Sequence, residues 1–494
     1  MTSVATPRDA KPWARLPGPV LLGVVIGGGV AYLATEVETK WLFYTCGGVC
    51  GVVGLSLLTR LIGRVDRFCL GVFVFSLPLL LGFSLMTADR GMPGGVQGLI
   101  ISLQLLTASA YWITWRFRPV PGPDDDDLRI VPRRFLVACL TFYGCLLPSL
   151  LTTTTMTYTF YGLFYHATLM LVAVTASHIC SSRSGLKILW QVVGPMLVMQ
   201  SIVMLIQRQT GMSFQLTGEV IESPWGERVG GTMGAAPSNV ATLLMGLLLF
   251  AEVRVLRGAQ RTALRWAPVF GLGLLCLLLS LTRSAWIGFG IASTFLLGWI
   301  LRRGTMSPTR WIPLASLAFL GLIIAWGPVH DRLGANHERA ADERWLLNYV
   351  NLEMIKDHPI VGIGLNTAYD SKFRYVPSFF TDGDWVYIAH NQYLLVAAET
   401  GILGLAGFLW IMLMAFRSAA AGARAPDPLV GETGAVLFAY LLGFTWGMNL
   451  DFYGGTQIYT VLWFVFGATV GVRALAERET RERSVAPARV ATAG

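Results

Sequence analysis

The chain has 494 residues, of which 54% are hydrophobic and 14% charged, and its mean hydropathy is +0.57. That balance excludes a soluble globular protein. The net charge of +9 does not point to nucleic acid, because the basic residues sit in short stretches between apolar runs. The seven cysteines lie mostly inside those runs without a C-x-x-C pair, so they read as small core residues and not as a disulfide framework.

Apolar runs of about 17–25 residues, the length of a membrane-crossing helix, recur along the whole chain. They predict an all-α, polytopic membrane protein with about 14 transmembrane helices (12–14). The spans fall at roughly 19–35, 41–59, 68–86, 95–115, 135–151, 158–179, 186–206, 237–253, 266–282, 284–301, 311–327, 391–415, 429–447 and 457–475. Met1–Leu16 is polar, so no cleavable signal peptide is expected. With the N-terminus placed inside, the alternating inner segments hold 27 of the 38 Lys and Arg, which predicts both termini in the cytoplasm.

In chain order, Glu36-Val-Glu38 occupies the first outer loop, and as a metal pair it is a weak signal. Asp124–Asp127 follow Pro121-Gly-Pro in an inner loop, where four adjacent carboxylates favour solvent. The outer face has two long segments, about 207–236 and 328–390, and long loops are often functional. The first carries Arg228-Val-Gly230-Gly231-Thr-Met-Gly234, then Pro237-Ser-Asn239 at a predicted helix start. A Gly-rich turn with a surface arginine reads it equally well.

Ser280-Leu-Thr-Arg283-Ser284 puts a guanidinium between two apolar runs with almost no loop. Such a charge must be paired or reach water, and a guanidinium there suits phosphate; snorkelling to the interface is the bland alternative. Residues 343–355 space Trp345, Leu346, Tyr349, Leu352 and Ile355 as the apolar stripe of an amphipathic helix, which His358-Pro359-Ile-Val-Gly362-Ile-Gly364 breaks. The loop closes on an aromatic rim, Trp385 and Tyr387, followed by His390-Asn391-Gln392-Tyr393 at the start of an apolar helix. An imidazole there serves either as a base near neutral pH or as a plain interface residue. Glu399, nine residues on, is about 13 Å away along a helix and reads as a buried structural partner. From Arg473 onward the chain reads as a frayed helix end and a disordered terminus.

Taken in order, the Arg228–Asn239 segment, Thr282-Arg283-Ser284-Ala285, Arg344-Trp345 with His358-Pro359-Ile-Val-Gly362-Ile-Gly364, and His390-Asn391-Gln392-Tyr393 with Glu399-Thr-Gly401 and Gly404 resemble the O-antigen ligase and Wzy-type polysaccharide polymerase superfamily of bacterial envelope glycosyltransferases. The resemblance covers about the C-terminal half. It implies N-terminal transmembrane helices over 1–206, a catalytic membrane region over 207–475 with a large, partly helical periplasmic loop before the third-last span, and a cytoplasmic tail over 476–494. It also implies a reaction: transfer or polymerisation of a glycan from an undecaprenyl-pyrophosphate donor onto an acceptor hydroxyl, at the periplasmic face of the bacterial inner membrane. The acceptor is lipid A-core in a ligase of lipopolysaccharide, or another glycan in an O-antigen or exopolysaccharide polymerase. His390, Arg283 and Arg228 take the catalytic roles, and Arg344, Asn239, Asn391, Gln392 and Tyr393 bind substrate. The partners are those lipid-linked and acceptor glycans and the bilayer, with no nucleic acid. The resemblance implies no metal and no cofactor. A flippase or exporter of lipid-linked glycan, or a non-catalytic assembly scaffold, is the alternative. A transporter would place binding groups at the midplane in repeated halves, and neither is evident.

Overall fold

The computed structural model describes residues 65–87, 95–118, 129–214, 220–222, 228–234, 236–304, 311–334, 338–376 and 388–491. The expected spans 19–35 and 41–59, Glu36 and Glu38, Asp124–Asp127, Trp385 and Tyr387 lie outside the described residues. Contacts divide the chain into two units, residues 1–69 with 109–120 and residues 70–108 with 121–494. In the first, Trp112 meets Trp115 edge-on at 5.6 Å, and Arg118 lies 5.3 Å from the Trp115 ring centroid.

The described elements begin with helix α1 (Val65–Ser76), strands β1 (Gly82–Thr87) and β2 (Gly98–Ser102), and α2 (Leu103–Arg116). The expected spans 68–86 and 95–115 are corrected here. Each is a short helix followed or preceded by a strand of an antiparallel hairpin. Pro78 stops the first helix, and at 12 and 14 residues the two helices fall short of the about 20 needed to cross a bilayer.

Next come α3 (Arg133–Leu146), α4 (Met156–Cys180), α5 (Arg183–Thr210), the hairpin β3 (Met212–Phe214) and β4 (Val220–Glu222), α6 (Pro237–Arg257), α7 (Gln260–Leu279), α8 (Arg283–Arg302) and α9 (Trp311–Gly334). The chain ends with α10 (Glu338–Asp357), the single turn α11 (Ala368–Ser371), α12 (Gln392–Ala423), α13 (Pro428–Met448) and α14 (Gln457–Ala491). Among the described residues, nine helices are long and apolar enough to cross a membrane, α3 being counted with the 3-10 turn Leu147–Leu151 that continues it. The tail expectation is corrected as well. Helix α14 runs on to Ala491, with Arg473–Glu477 and Arg478–Glu482 ion pairs one turn apart supporting the polar extension.

Local chemistry sets these boundaries. The Ser182 hydroxyl caps α5, Gly211 ends it at φ 68°, Asn391 caps α12, and Asp427 with Pro428 starts α13. The core pair is α4 against α14. A Cβ at Gly467 would sit 1.8 Å from the Ala173 carbonyl oxygen, and one at Gly471 would sit 2.3 Å from that of Ser177. Backbone contact this close gives two membrane helices dispersion energy that lipid cannot replace.

The two ends of the second unit differ. At one end Arg303 donates to the carbonyls of Ala423 (2.7 Å) and Ala425 (3.1 Å), and Arg183 pairs with Asp427 and Glu479 at 2.7 Å each. These basic turns are the ones predicted inside. At the opposite ends of the same helices lie the Arg228 segment, the α7–α8 turn, α10 and the start of α12.

The link between 359–364 and α12 is backbone to backbone. Helix α12 breaks at Gly401, which sits at φ 63° and ψ −167°. The break frees carbonyls, and those of Ala398 and Glu399 accept the N–H groups of Ile363 (2.9 Å) and Gly364 (3.1 Å). It also frees donors, and the N–H groups of Ile402 and Leu403 reach the carbonyls of Pro359 (2.9 Å) and Ile360 (3.4 Å). A Cβ at Gly362 would lie 2.3 Å from the Glu399 carbonyl carbon, and one at Gly401 would lie 2.2 Å from that of Ile360. Two glycines therefore make the interlock possible, and four of the peptide groups at the break find partners across it.

Helix α10 forms where the 343–355 pattern predicts, and of the predicted stripe Leu346 is buried while Tyr349 and Ile355 pack on the same cluster. Leu346, Val350 and Met354 face inward with Ile363, Ala368, Ile388, Leu395 and Ala398, while Trp345 is 66% and Leu352 45% exposed. Residues 346, 350 and 354 follow the i, i+4, i+8 line, and the docking of 359–364 on α12 selects that line over the neighbouring one.

Candidate active site

The site is built from four segments at one end of the second unit. The first is the loop before α6. Gln207 of α5 holds Gly231 at both ends, accepting from its N–H and donating to its carbonyl at 2.9 Å each. Gln200 accepts from the Thr232 N–H at 3.2 Å and donates to the Thr232 hydroxyl, which in turn donates to the Pro78 carbonyl at 2.8 Å. Two buried amides thus fix the loop, and Arg228 projects from it.

The second segment is the α7–α8 turn. Leu281 adopts φ 52°, an uncommon conformation for this residue, and the Trp286 indole donates to the Leu277 carbonyl at 2.8 Å. The turn places Arg283 at the first position of α8, where the unpaired N–H groups and the helix dipole already favour an anion. Arg228 reaches this turn, its Nε and Nη2 lying 3.4 Å from the Ser280 carbonyl and the Thr282 hydroxyl. Burial lowers the Arg228 pKa to about 10, with help from repulsion by Arg332 and Arg283, while Asp451 opposes the shift.

The third segment joins the end of α9 to α10. Arg332 interacts with Arg283 and Arg344, and burial together with those two charges lowers its pKa. Its Nε has no hydrogen-bond partner among the described residues. Arg344 is exposed on the first half of α10.

The fourth segment pairs the start of α12 with the turn between α13 and α14. The His390 ring meets Phe452 edge-on at 5.4 Å, and the imidazole is in electrostatic contact with Asp451. Burial raises the Asp451 pKa, and His390, the Ser238 hydroxyl, the Phe452 N–H and Arg344 act against that shift. Asp451 is therefore hydrogen-bonded by Ser238 and the Phe452 N–H, with the His390 imidazole and the Arg344 guanidinium within electrostatic range.

Among the predicted substrate binders, Arg344 joins the charged cluster and the others serve structure in part. The Asn391 Oδ1 accepts from the N–H groups of Tyr393 (3.0 Å) and Leu394 (3.1 Å) as the cap of α12. The Gln392 Oε1 accepts from Tyr453 (2.7 Å) and Gly454 (3.0 Å), which fixes the turn that carries Asp451. The Tyr393 hydroxyl donates to the Thr445 carbonyl at 3.4 Å. Asn239 is buried in the first turn of α6, beside Ser238. Glu399 accepts from the Ala368 N–H at 3.2 Å, a structural role at the α12 break. No group of His, Cys, Asp and Glu able to hold a metal occurs among the described residues.

Sequence reasoning missed Arg332 and Asp451. Arg332 looked like one of several loop cations. Asp451 had a usable signal, as an acidic residue in the short polar turn between the last two apolar runs.

With this geometry in hand, residues 268–409 match the family model for O-antigen ligase, Wzy_C. That stretch is an O-antigen ligase family segment. Comparison with curated proteins gave no match. The matched segment runs from within α7 to just past the middle of α12. It contains Arg283, Arg332, Arg344 and His390, whereas Arg228 and Asp451 come from chain on either side of it. The match over this stretch supports a membrane glycosyltransferase of the O-antigen ligase or polymerase type.

Proposed function

We propose that the protein transfers a glycan from an undecaprenyl-pyrophosphate donor to an acceptor hydroxyl at the outer face of the bacterial inner membrane, without a metal, and with both termini cytoplasmic. The observation that supports this reading is the electrostatic network that links Arg228, Arg283, Arg332 and Arg344 to one another and, through Arg228 and Arg344, to Asp451 beside His390. Pyrophosphate leaves with growing negative charge, and fixed guanidinium groups stabilise that charge most where water is scarce.

In this mechanism His390 takes the proton of the acceptor hydroxyl as its oxygen bonds to the anomeric carbon. The bond from that carbon to the pyrophosphate oxygen breaks, and its electron pair leaves with the pyrophosphate. Arg228, Arg283, Arg332 and Arg344 hold the leaving group. Asp451 orients the imidazole and offsets the positive charge that forms on it. A single displacement inverts the anomeric centre. Asn391 and Gln392 act through the elements they position, Tyr393 and Asn239 are assigned to substrate binding, and the partners are the lipid-linked donor and a lipid A-core or glycan acceptor.

The test is genetic. A strain lacking this gene is complemented with wild type, His390→Ala and Arg283→Ala at matched membrane levels, and its envelope polysaccharide and lipopolysaccharide are resolved on gels. Both variants should fail, with lipid-linked glycan accumulating. Bare core beside intact long lipid-linked chains would mark a ligase, and loss of long chains on capped core a polymerase. Wild-type products from both variants would favour a transporter or scaffold.

A further inference from the structure

A second polar cleft, of about 270 Å³, opens at the same end of the second unit, where α10 gives way to the α12 interlock. Its lining includes Thr154, Asp357, His358, Ser371, Arg374 and Tyr375. None of these belongs to the arginine–histidine site. The Tyr375 hydroxyl donates to Asp357 Oδ2 at 2.6 Å, and His358 Nε2 lies 3.5 Å from the same oxygen. The carboxylate is therefore held in one orientation before any ligand arrives. Burial and the Asp357 contact push the Tyr375 phenol up to about 12, so it keeps its proton at any physiological pH. Ser371 is only 3% exposed, and its hydroxyl has no hydrogen-bond partner among the described residues. A buried hydroxyl without a partner is costly unless something outside the chain completes it.

The mixture of groups selects the ligand class. A fixed carboxylate, a guanidinium and several hydroxyls offer acceptors and donors side by side, which matches the paired hydroxyls of a sugar ring. Phosphate would meet Asp357 and be repelled. An acyl chain would find too few apolar neighbours. The volume is slightly below the roughly 300 Å³ at which small-molecule pockets begin, which suits one sugar unit.

Position supports the same reading. Ile363 and Tyr375 of the cleft pack on the cluster formed by Leu346, Val350, Met354, Ile388 and Leu395, and Phe452, which touches His390, packs on it too. One hydrophobic cluster thus separates the cleft from the base. We propose that the cleft binds a sugar unit of the glycan substrate at a distance from the reacting hydroxyl, a role that rests on the glycosyltransferase reading above. Binding energy gathered there would orient a long glycan in the reaction site.

The test uses the full-length protein in lipid nanodiscs. The probe is the oligosaccharide released by mild acid from the strain's own lipid-linked glycan. Wild type should bind it, Arg374→Ala and Tyr375→Phe should each weaken binding about tenfold, and inorganic phosphate should not displace it. In transfer assays Arg374→Ala should raise KM for a multi-sugar donor about tenfold, with kcat nearly unchanged and a single-sugar donor unaffected. Arg374 is exposed, so its variant should keep the wild-type melting temperature. Equal binding by wild type and both variants, displacement by phosphate, or an equal KM rise for both donors overturns the cleft. Wild type that binds the oligosaccharide but transfers nothing would instead overturn the glycosyltransferase reading and leave the cleft standing.

Discussion

At the scale of single residues, the site is a balance of like charges held close together by the fold. Arg228 shows the consequence. Its pKa of about 10 lies below the ordinary 12.5, so between those values the unfolded chain binds a proton that the folded chain does not. Stability rises with pH across that window, and at pH 7 the cost of holding the charge is fully present. A polyanion relieves that cost in the folded state only. Pyrophosphate should therefore raise the melting temperature of wild type by on the order of a few degrees. Arg228→Gln should melt higher than wild type without the anion and gain less from it, as thermal unfolding in nanodiscs would read. A wild-type protein indifferent to pyrophosphate would contradict the cluster's role as an anion site.

At the scale of elements, the interlock between 359–364 and the broken α12 sets the position of His390. Gly401→Ala puts a methyl group where the Ile360 backbone lies, and in a strained conformation besides. The expected outcome is a loss of more than about 3 kcal/mol, early cleavage by protease in 328–390, and loss of transfer together with it. Unchanged proteolysis would mean that the loop holds itself in place. This element also shows what the sequence revealed and what it withheld. The two motifs, His358-Pro359-Ile-Val-Gly362-Ile-Gly364 and Glu399-Thr-Gly401, were visible as glycine-marked breaks. That they are the two halves of one contact was not, because pairing between segments about 40 residues apart leaves no local period. Trp345 and Leu352 of the predicted α10 stripe face outward for a related reason. A helix with apolar residues on two adjacent lines does not say which line its neighbour will cover. Likewise, runs 68–86 and 95–115 were apolar enough to span, and only Pro78 and the strand pairing of 82–87 with 98–102 show them as short helices and a hairpin.

At the scale of the whole molecule, charge and apolar length were the legible features. The basic turns collect at one end of the helices, and the arginine–histidine site forms at the other. Arg283, Arg344 and His390 were legible because each stands at an abrupt change from polar to apolar sequence. Arg332 and Asp451 were not, since their meaning comes from charges contributed by distant segments. The family segment ends before Asp451 and begins after Arg228, so the complete site is a property of the folded chain and not of the matched stretch. The central claim is that this site moves a glycan from pyrophosphate to a hydroxyl. The most direct measurement is transfer by the purified full-length protein, in nanodiscs, from a defined undecaprenyl-pyrophosphate glycan to a lipid A-core or glycan acceptor. Wild type should form product and release undecaprenyl pyrophosphate in equal amounts, without a nucleotide sugar. Asp451→Asn should be slower by on the order of 10²-fold or more, and His390→Ala should be inactive. Wild-type rates from His390→Ala and Asp451→Asn would contradict the account.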